Sequence, residues 1–215
     1  MHYGMVIDLK RCIGCYACVA ACRAENATGT GVTFSRVQRL EWGKYPAVKR
    51  MALPLLCMHC QDPPCLDVCP TGATKQRPDG IVWIDKDLCI GCRYCMLACP
   101  YAARYFYDRE IPYFVNGMPE NGTPGNGKTR PARTPFEEAG YARHTLGTVE
   151  KCDFCSARVD QGQEPACVAN CPAKARIFGD LDDHTSPVSG LIRDKGAAVL
   201  NPEAGTNPSV YYLPP

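Results

Sequence analysis

The sixteen cysteines of this 215-residue chain fall in four groups of four, and three of the groups end in Cys-Pro. The groups are Cys12, Cys15, Cys18 and Cys22; Cys57, Cys60, Cys65 and Cys69; Cys89, Cys92, Cys95 and Cys99; and Cys152, Cys155, Cys167 and Cys171. The first and third share the spacing C-x2-C-x2-C-x3-C. Three thiols separated by two residues each can wrap a tight loop around one centre, and Gly14 and Gly91, lacking a Cβ, let backbone N–H groups approach the sulfurs. Three residues further on, the chain has begun a helical turn that carries Cys22 or Cys99 away from the loop, while a proline such as Pro100 stops or redirects it.

That spacing is the bacterial ferredoxin run for iron-sulfur clusters, in which the fourth cysteine serves the other cluster of a pair. The chain therefore reads as a carrier of four cubane clusters whose runs exchange their fourth ligands. Disulfides would need an oxidising compartment, and the opening Met1 to Leu9 has no basic region followed by an apolar stretch, so no secretory leader is expected. Zinc is the stronger rival, because four sites of four thiolates would also use every cysteine. Structural zinc, however, favours two separated C-x2-C knuckles over a three-cysteine run closed by Cys-Pro. Cysteines packed only as small hydrophobes would not recur at these intervals.

An internal repeat supports the cluster reading. Ile7 to Cys15 aligns with Ile84 to Cys92, and both continue to an Ala-Cys end at Ala21-Cys22 and Ala98-Cys99, an offset of 77 residues throughout. Pro63-Pro64-Cys65-Leu66-Asp67-Val68-Cys69-Pro70 parallels Pro165-Ala166-Cys167-Val168-Ala169-Asn170-Cys171-Pro172, although the gap before the third cysteine grows from four residues to eleven. The unit is a duplicated two-cluster module.

With these cysteines go Met5 to Leu9, Cys69-Pro70-Thr71-Gly72-Ala73, Cys99 to Arg104, Lys151-Cys152-Asp153-Phe154-Cys155, Phe178 to Asp183, and a tail from Pro202 to Thr206 and Val210 to Tyr212. Over nearly its whole length the chain resembles the four-cluster ferredoxin-like electron-transfer subunit of the molybdopterin oxidoreductase family. That subunit accompanies dimethyl sulfoxide, polysulfide, thiosulfate, tetrathionate and respiratory arsenate reductases. The resemblance implies the ligand sets. Cys12, Cys15 and Cys18 would hold one cluster with Cys171, and Cys152, Cys155 and Cys167 its partner with Cys22; Cys89, Cys92 and Cys95 would join Cys69, and Cys57, Cys60 and Cys65 would join Cys99. No position is replaced by an aromatic residue, so all four are expected to be 4Fe-4S.

The expected architecture is α+β, two interlocked ferredoxin-like modules with small sheets, short helices and long loops. Residues 1–50 with 147–180 form the outer module, 51–107 the inner one, 108–146 an insertion and 181–215 a C-terminal extension. Strands are expected at Gly4–Asp8 and Ile81–Asp85, and short helices after Cys18, Cys65, Cys95 and Cys167. Only 9% of residues are aromatic, while Gly and Pro each occur 19 times, so the clusters must supply part of the core and the apo chain should fold poorly. Four clusters with their thiolates bring about −8, turning the formal +2 into about −6. The basic residues then offset cluster charge and dock partners rather than bind nucleic acid.

Several features admit two readings. Residues 26–50 make either a surface loop and strand or a partner contact. Asn116 to Gly127 cannot sustain a helix or strand interior, so the 108–146 insertion either docks on a partner subunit or makes a flexible excursion. Tyr101, Tyr105, Phe106 and Tyr107 could form an electron wire or pack beside a cluster and exclude water. His59 could ligate iron, but its group already has its cysteines. Arg104, Lys174 and Arg176 follow ligands closely, either as cations that stabilise a reduced cluster or as surface charge.

No Ser-His-Asp set, phosphate loop or open metal site appears, so the chain moves electrons and does not itself catalyse. Its apolar runs fall far short of the roughly 20 residues needed to cross a bilayer. Relatives in formate dehydrogenases and hydrogenases often carry a C-terminal membrane helix, and the lack of one in Asn201 to Pro215 favours the sulfur, arsenic and sulfoxide branch. The expected partners are a molybdenum or tungsten bis-pterin catalytic subunit and a quinone-reactive membrane or haem protein. A soluble polyferredoxin shuttle is the alternative. The expected location is the periplasmic side of the cytoplasmic membrane, by export with a catalytic subunit bearing a twin-arginine signal; the alternative is the cytoplasm.

Overall fold

The computed structural model describes residues 1–29, 31–110 and 135–215. The string Asn116 to Gly127 lies outside them. Short strands and helices make an α+β fold whose largest sheet has four strands, in the order β8 (Arg176–Asp180), β1 (Tyr3–Asp8), β10 (Val210–Leu213) and β9 (Ala198–Val199). Strand β1 runs antiparallel to β8, with Ile7 opposite Arg176, and parallel to β10, with Met5 opposite Val210. Alternate side chains of β1 point to opposite faces. Met5 and Ile7 enter a core shared with Cys18, Cys22, Cys60, Cys152 and Cys167, whereas Val6 packs with Val188 and Leu213 under helix α7 (Pro187–Lys195). Residues 181–215, set apart as an extension in the sequence, thus supply one helix and two strands of the main sheet. The pairing of β1 with β10 joins residues about 200 apart, which no local pattern announces.

The other sheets are two-stranded. Strand β2 (Arg36–Trp42) pairs with β3 (Lys49–Leu55) as a hairpin, β4 (Thr74–Gln76) with β5 (Val82–Ile84), and β6 (Tyr105–Tyr107) with β7 (Thr148–Glu150). The last pair closes the stem of the insertion, with the Gly147 N–H donating to the Tyr107 carbonyl at 2.8 Å. Beyond the undescribed residues the chain returns in α4 (Pro135–Tyr141) and docks on the end of α1 (Ala17–Asn26). There the Arg143 guanidinium donates to the Glu25 carbonyl, and His144 sits between the Glu150 carboxylate at 2.6 Å and the carbonyls of Asn26 and Ala27.

Each expected helix is present, but each begins one residue before the third cysteine of its group. These are α1, α2 (Pro64–Asp67), α3 (Tyr94–Leu97) and α6 (Ala166–Ala169). Two devices set that start. Before α1 and α3 the chain turns at Tyr16 and Arg93, both left-handed at φ 63° and 65°. At the start of α2 and α6 a proline, Pro64 as the first residue or Pro165 as the cap, supplies a preset φ. Helix α5 (Ser156–Val159) follows Cys155 directly.

Candidate iron-sulfur sites

The cysteines gather in rings, each drawing one member from a distant group. One cavity, site A, is lined by Cys12, Cys15, Cys18 and Cys171. A second, site C, is lined by Cys57, Cys60, Cys65 and Cys99. A third, site D, is lined by Cys69, Cys89, Cys92 and Cys95. The remaining four meet in the core: burial pushes the Cys152 thiol well up, and the neighbouring thiolates of Cys22, Cys57, Cys155 and Cys167 push it further. Cys22, Cys152, Cys155 and Cys167 form site B, while Cys57 belongs to site C.

The rings stand in a row. Site A adjoins B because α1 carries both Cys18 and Cys22, and Cys18 is a charged neighbour of Cys167. Site B adjoins C, since Cys57 lies in the field of Cys152. At that junction the rings of Phe154 and His59 stack with centroids 3.7 Å apart. Sites C and D share a wall, with Arg104 lining both cavities. The order A, B, C, D is not the order of the groups in the sequence.

The donor set suits a cubane. Among the described residues no three His, Cys, Asp or Glu side chains close around a single metal-ion position. A zinc ion would draw its four thiolates in to about 2.3 Å, whereas three of these rings line pockets. Backbone N–H groups face the sulfurs, as the glycines led one to expect. Gly14 donates to Cys12, Val149 to Cys89 at 3.4 Å, and Ala175 to Cys171 at 3.3 Å. Burial opposes ionisation of Cys69, yet the N–H of Thr74 at 3.4 Å, the Thr71 hydroxyl and the N–H of Ala73 hold its pKa below the ordinary thiol value. Deeper thiols shift the other way, and burial raises Cys22, Cys60 and Cys155 to about 12.

Gly91 has φ +68°, and a Cβ there would run into the Gly147 carbonyl oxygen and lie 2.9 Å from the Phe106 ring. Gly14, at φ +64°, would meet only the Ala52 Cβ at 3.0 Å. Both substitutions carry about 1–2 kcal/mol of left-handed strain, and the backbone clash adds to it at Gly91 alone. Gly91→Ala is therefore expected to lower the thermal midpoint and the iron content of the loaded protein, and Gly14→Ala to do so clearly less. Equal losses would remove the clash argument.

The residues that admitted two readings now have places. His59 is fully buried and its Nδ1 accepts the Val82 N–H at 3.1 Å, so it packs between groups two and four. Of the aromatic string, Tyr101 lines site C, and Phe106 packs against the cluster of Cys65, Val82, Cys95 and Val149 beneath the Arg93 guanidinium, 3.7 Å from its ring centroid. Tyr105 instead faces Phe34, and Tyr107 stacks on His144. Lys174 is exposed, but Arg104 and Arg176 are buried. The sequence reading missed Lys151, buried next to Cys152, although its place in Lys151-Cys152-Asp153-Phe154-Cys155 was visible.

Comparison with known proteins agrees with this class of site. A 4Fe-4S dicluster domain family matches residues 48–113 and 131–181, and a second family of the same description matches residues 11–73. The chain is 45% identical to a putative dimethyl sulfoxide reductase iron-sulfur subunit of Halobacterium salinarum, over 99% of this chain and 79% of that protein. It is 40% identical to the arsenate respiratory reductase iron-sulfur subunit ArrB of Shewanella sp., over 99% and 96%. It is 42% identical to a selenate reductase subunit of Mesobacillus selenatarsenatis, over 97% and 70%. The chain belongs to the four-cluster iron-sulfur electron-transfer subunits of the molybdopterin oxidoreductase family, and its cofactors are four 4Fe-4S clusters.

Proposed function

We propose that the chain relays single electrons between a quinone-reactive membrane or haem partner and a molybdenum or tungsten bis-pterin catalytic subunit that acts on a sulfur or arsenic compound or a sulfoxide. In this reading the four rings are the ligand sets: Cys12, Cys15, Cys18 and Cys171; Cys152, Cys155, Cys167 and Cys22; Cys57, Cys60, Cys65 and Cys99; and Cys89, Cys92, Cys95 and Cys69. The first two make the outer module and the last two the inner, interlocked by exchange of the fourth cysteine.

The observation that carries the relay is the row of rings with two open ends. Bound 4Fe-4S clusters supply one-electron centres with every iron already capped by a thiolate. Around the middle two rings the chain packs Met58, Phe154, Val159 and Val168 and excludes water. At the ends it does the opposite. Cys15 is exposed beside Ile13 at site A, and Cys92 is exposed beside Ile90 at site D. These two apolar, cysteine-bearing loops, 77 residues apart in the repeat, are the faces offered to the two partners.

No helix of the described residues is long and apolar enough to cross a membrane. In this reading the place of the chain is the periplasmic side of the cytoplasmic membrane, reached by export with the catalytic subunit, and cell fractionation tests this directly. Anaerobic purification from a mild extract is expected to bring down a pterin-containing subunit with this chain. After chemical reduction the chain should also give an electron paramagnetic resonance signal of four interacting 4Fe-4S centres. A chain that leaves the extract alone would instead be a free polyferredoxin shuttle, and a colourless zinc-loaded one would end the electron-transfer reading.

A further inference from the structure

Arg104 and Arg176 stand at the same distance from the ends of their cysteine groups. Each is the fifth residue after a fourth cysteine, in Cys99-Pro100-Tyr101-Ala102-Ala103-Arg104 and Cys171-Pro172-Ala173-Lys174-Ala175-Arg176. Both are almost wholly buried, at 4% and 3% exposure. A buried guanidinium needs an anion close by, because desolvation costs several kcal/mol without one. Neither side chain forms an ion pair with a carboxylate among the described residues, and the anions near both are cysteine sulfurs.

The geometry is the same twice over. Arg104 donates to Cys65 Sγ at 2.8 Å and to Thr74 Oγ1 at 3.2 Å, and its charge bears on Cys95 as well. It therefore lies between sites C and D. Arg176 donates to Cys167 Sγ at 3.4 Å and to Ser35 Oγ at 2.9 Å while lining the cavity of site A. It lies between sites A and B. In each case a hydroxyl fixes one arm of the fork and a sulfur takes the other. The middle junction holds a third buried cation. The Lys151 ammonium donates to the carbonyls of Cys152, a site B residue, and of Val82, which lines site C, and its charge acts on Cys65.

We propose that Arg176, Lys151 and Arg104 are potential-setting cations, one at each junction of the row, each raising the reduction potential of the two clusters that flank it. The inference rests on the ligand sets given above. Reduction adds one electron and no proton to a cluster, so its charge becomes more negative by one. A fixed cation in a dry junction stabilises that form over the oxidised one. Standing between two clusters, it also offsets the repulsion that an electron on one exerts on an electron arriving at the next. Lys174, exposed in the same motif, has no such role.

The test is anaerobic potentiometry of the loaded full-length chain in its complex, following each midpoint by electron paramagnetic resonance. Arg104→Gln is expected to lower two of the four midpoints by roughly a tenfold change in the ratio of reduced to oxidised form, about 59 mV each for one electron. Arg176→Gln should lower the other two, and Lys151→Met one from each pair. Arg104→Lys and Arg176→Lys, which keep the charge but not the two-armed fork, should lower the same midpoints clearly less than the glutamine variants do. Four-cluster variants with unmoved midpoints, or Arg104→Gln and Arg176→Gln acting on the same two clusters, would overturn the proposal. Should a glutamine variant fail to hold four clusters, its lysine counterpart decides: a fall clearly short of tenfold supports the charge role, and a tenfold fall refutes it. A parent protein without four cubane signals would refute the ligand sets instead.

Discussion

Replacing Cys22 by alanine should disable the cluster held by Cys152, Cys155 and Cys167 and leave the one in its own loop intact. Cys22 lies on α1 one helical turn beyond Cys18, so the two sulfurs are carried about 6 Å apart along the helix axis. The cysteine neighbours of Cys22 are Cys167 and Cys155, whereas those of Cys12 are Cys18 and Cys171. The expected result is loss of about four iron atoms per chain, or of about one if a three-iron cluster survives. Double variants locate the damage. Cys22→Ala with Cys152→Ala should lose little more than either alone, because both act on one site, while Cys22→Ala with Cys12→Ala should lose two clusters. If Cys22→Ala proves additive with Cys152→Ala, the exchange of fourth ligands is wrong.

Stripping the iron should collapse the fold rather than leave an empty scaffold. The principal core counts Cys18, Cys22, Cys60, Cys152 and Cys167 among its buried members, interleaved with Met5, Ile7, Met58 and Phe154. Many helices here are single turns of four residues, too short to persist without tertiary anchoring. Chelation under reducing conditions is therefore expected to abolish cooperative thermal unfolding and most far-ultraviolet dichroism, in the manner of other domains whose metal binding is coupled to folding. A sharp, retained transition would show that the apolar contacts suffice. Reloading should also depend on pH. With Cys22, Cys60 and Cys155 raised to about 12 by burial, the thiols of any folded metal-free form are protonated at neutral pH and must release protons to bind iron. Reconstitution with iron and sulfide should accordingly be more complete at pH 8 than at pH 6.

Much of the site was legible in the sequence because a tight loop leaves a local mark: C-x2-C-x2-C, a glycine with positive φ, and a proline after the fourth cysteine. The helix starts came two residues early, since a left-handed Tyr16 or Arg93 lets the turn begin before the third cysteine, and neither residue type advertises that conformation. The row A, B, C, D was not legible, because order in space depends on contacts such as Phe154 on His59 that span 95 positions. Nor was the difference between Lys174 and Arg176, two cations in one motif. Residue 176 falls on β8 facing the core and residue 174 on an exposed turn, so burial alone separates them.

The parallel pairing of β1 with β10 has a consequence for biosynthesis. All eight cysteines of the inner sites lie between residues 57 and 99, so that half of the molecule can be completed while the rest is still on the ribosome. The outer half cannot. Its first strand waits for Val210 to Leu213, and the loop around Cys12 waits for Cys171. During translation at about 5–20 residues per second, the amino-terminal loop spends on the order of ten seconds exposed, its thiols open to oxidation or stray metals. Cluster insertion should thus proceed from the inner pair outwards, the inner pair being complete once Val149, which lines site D, has left the ribosome.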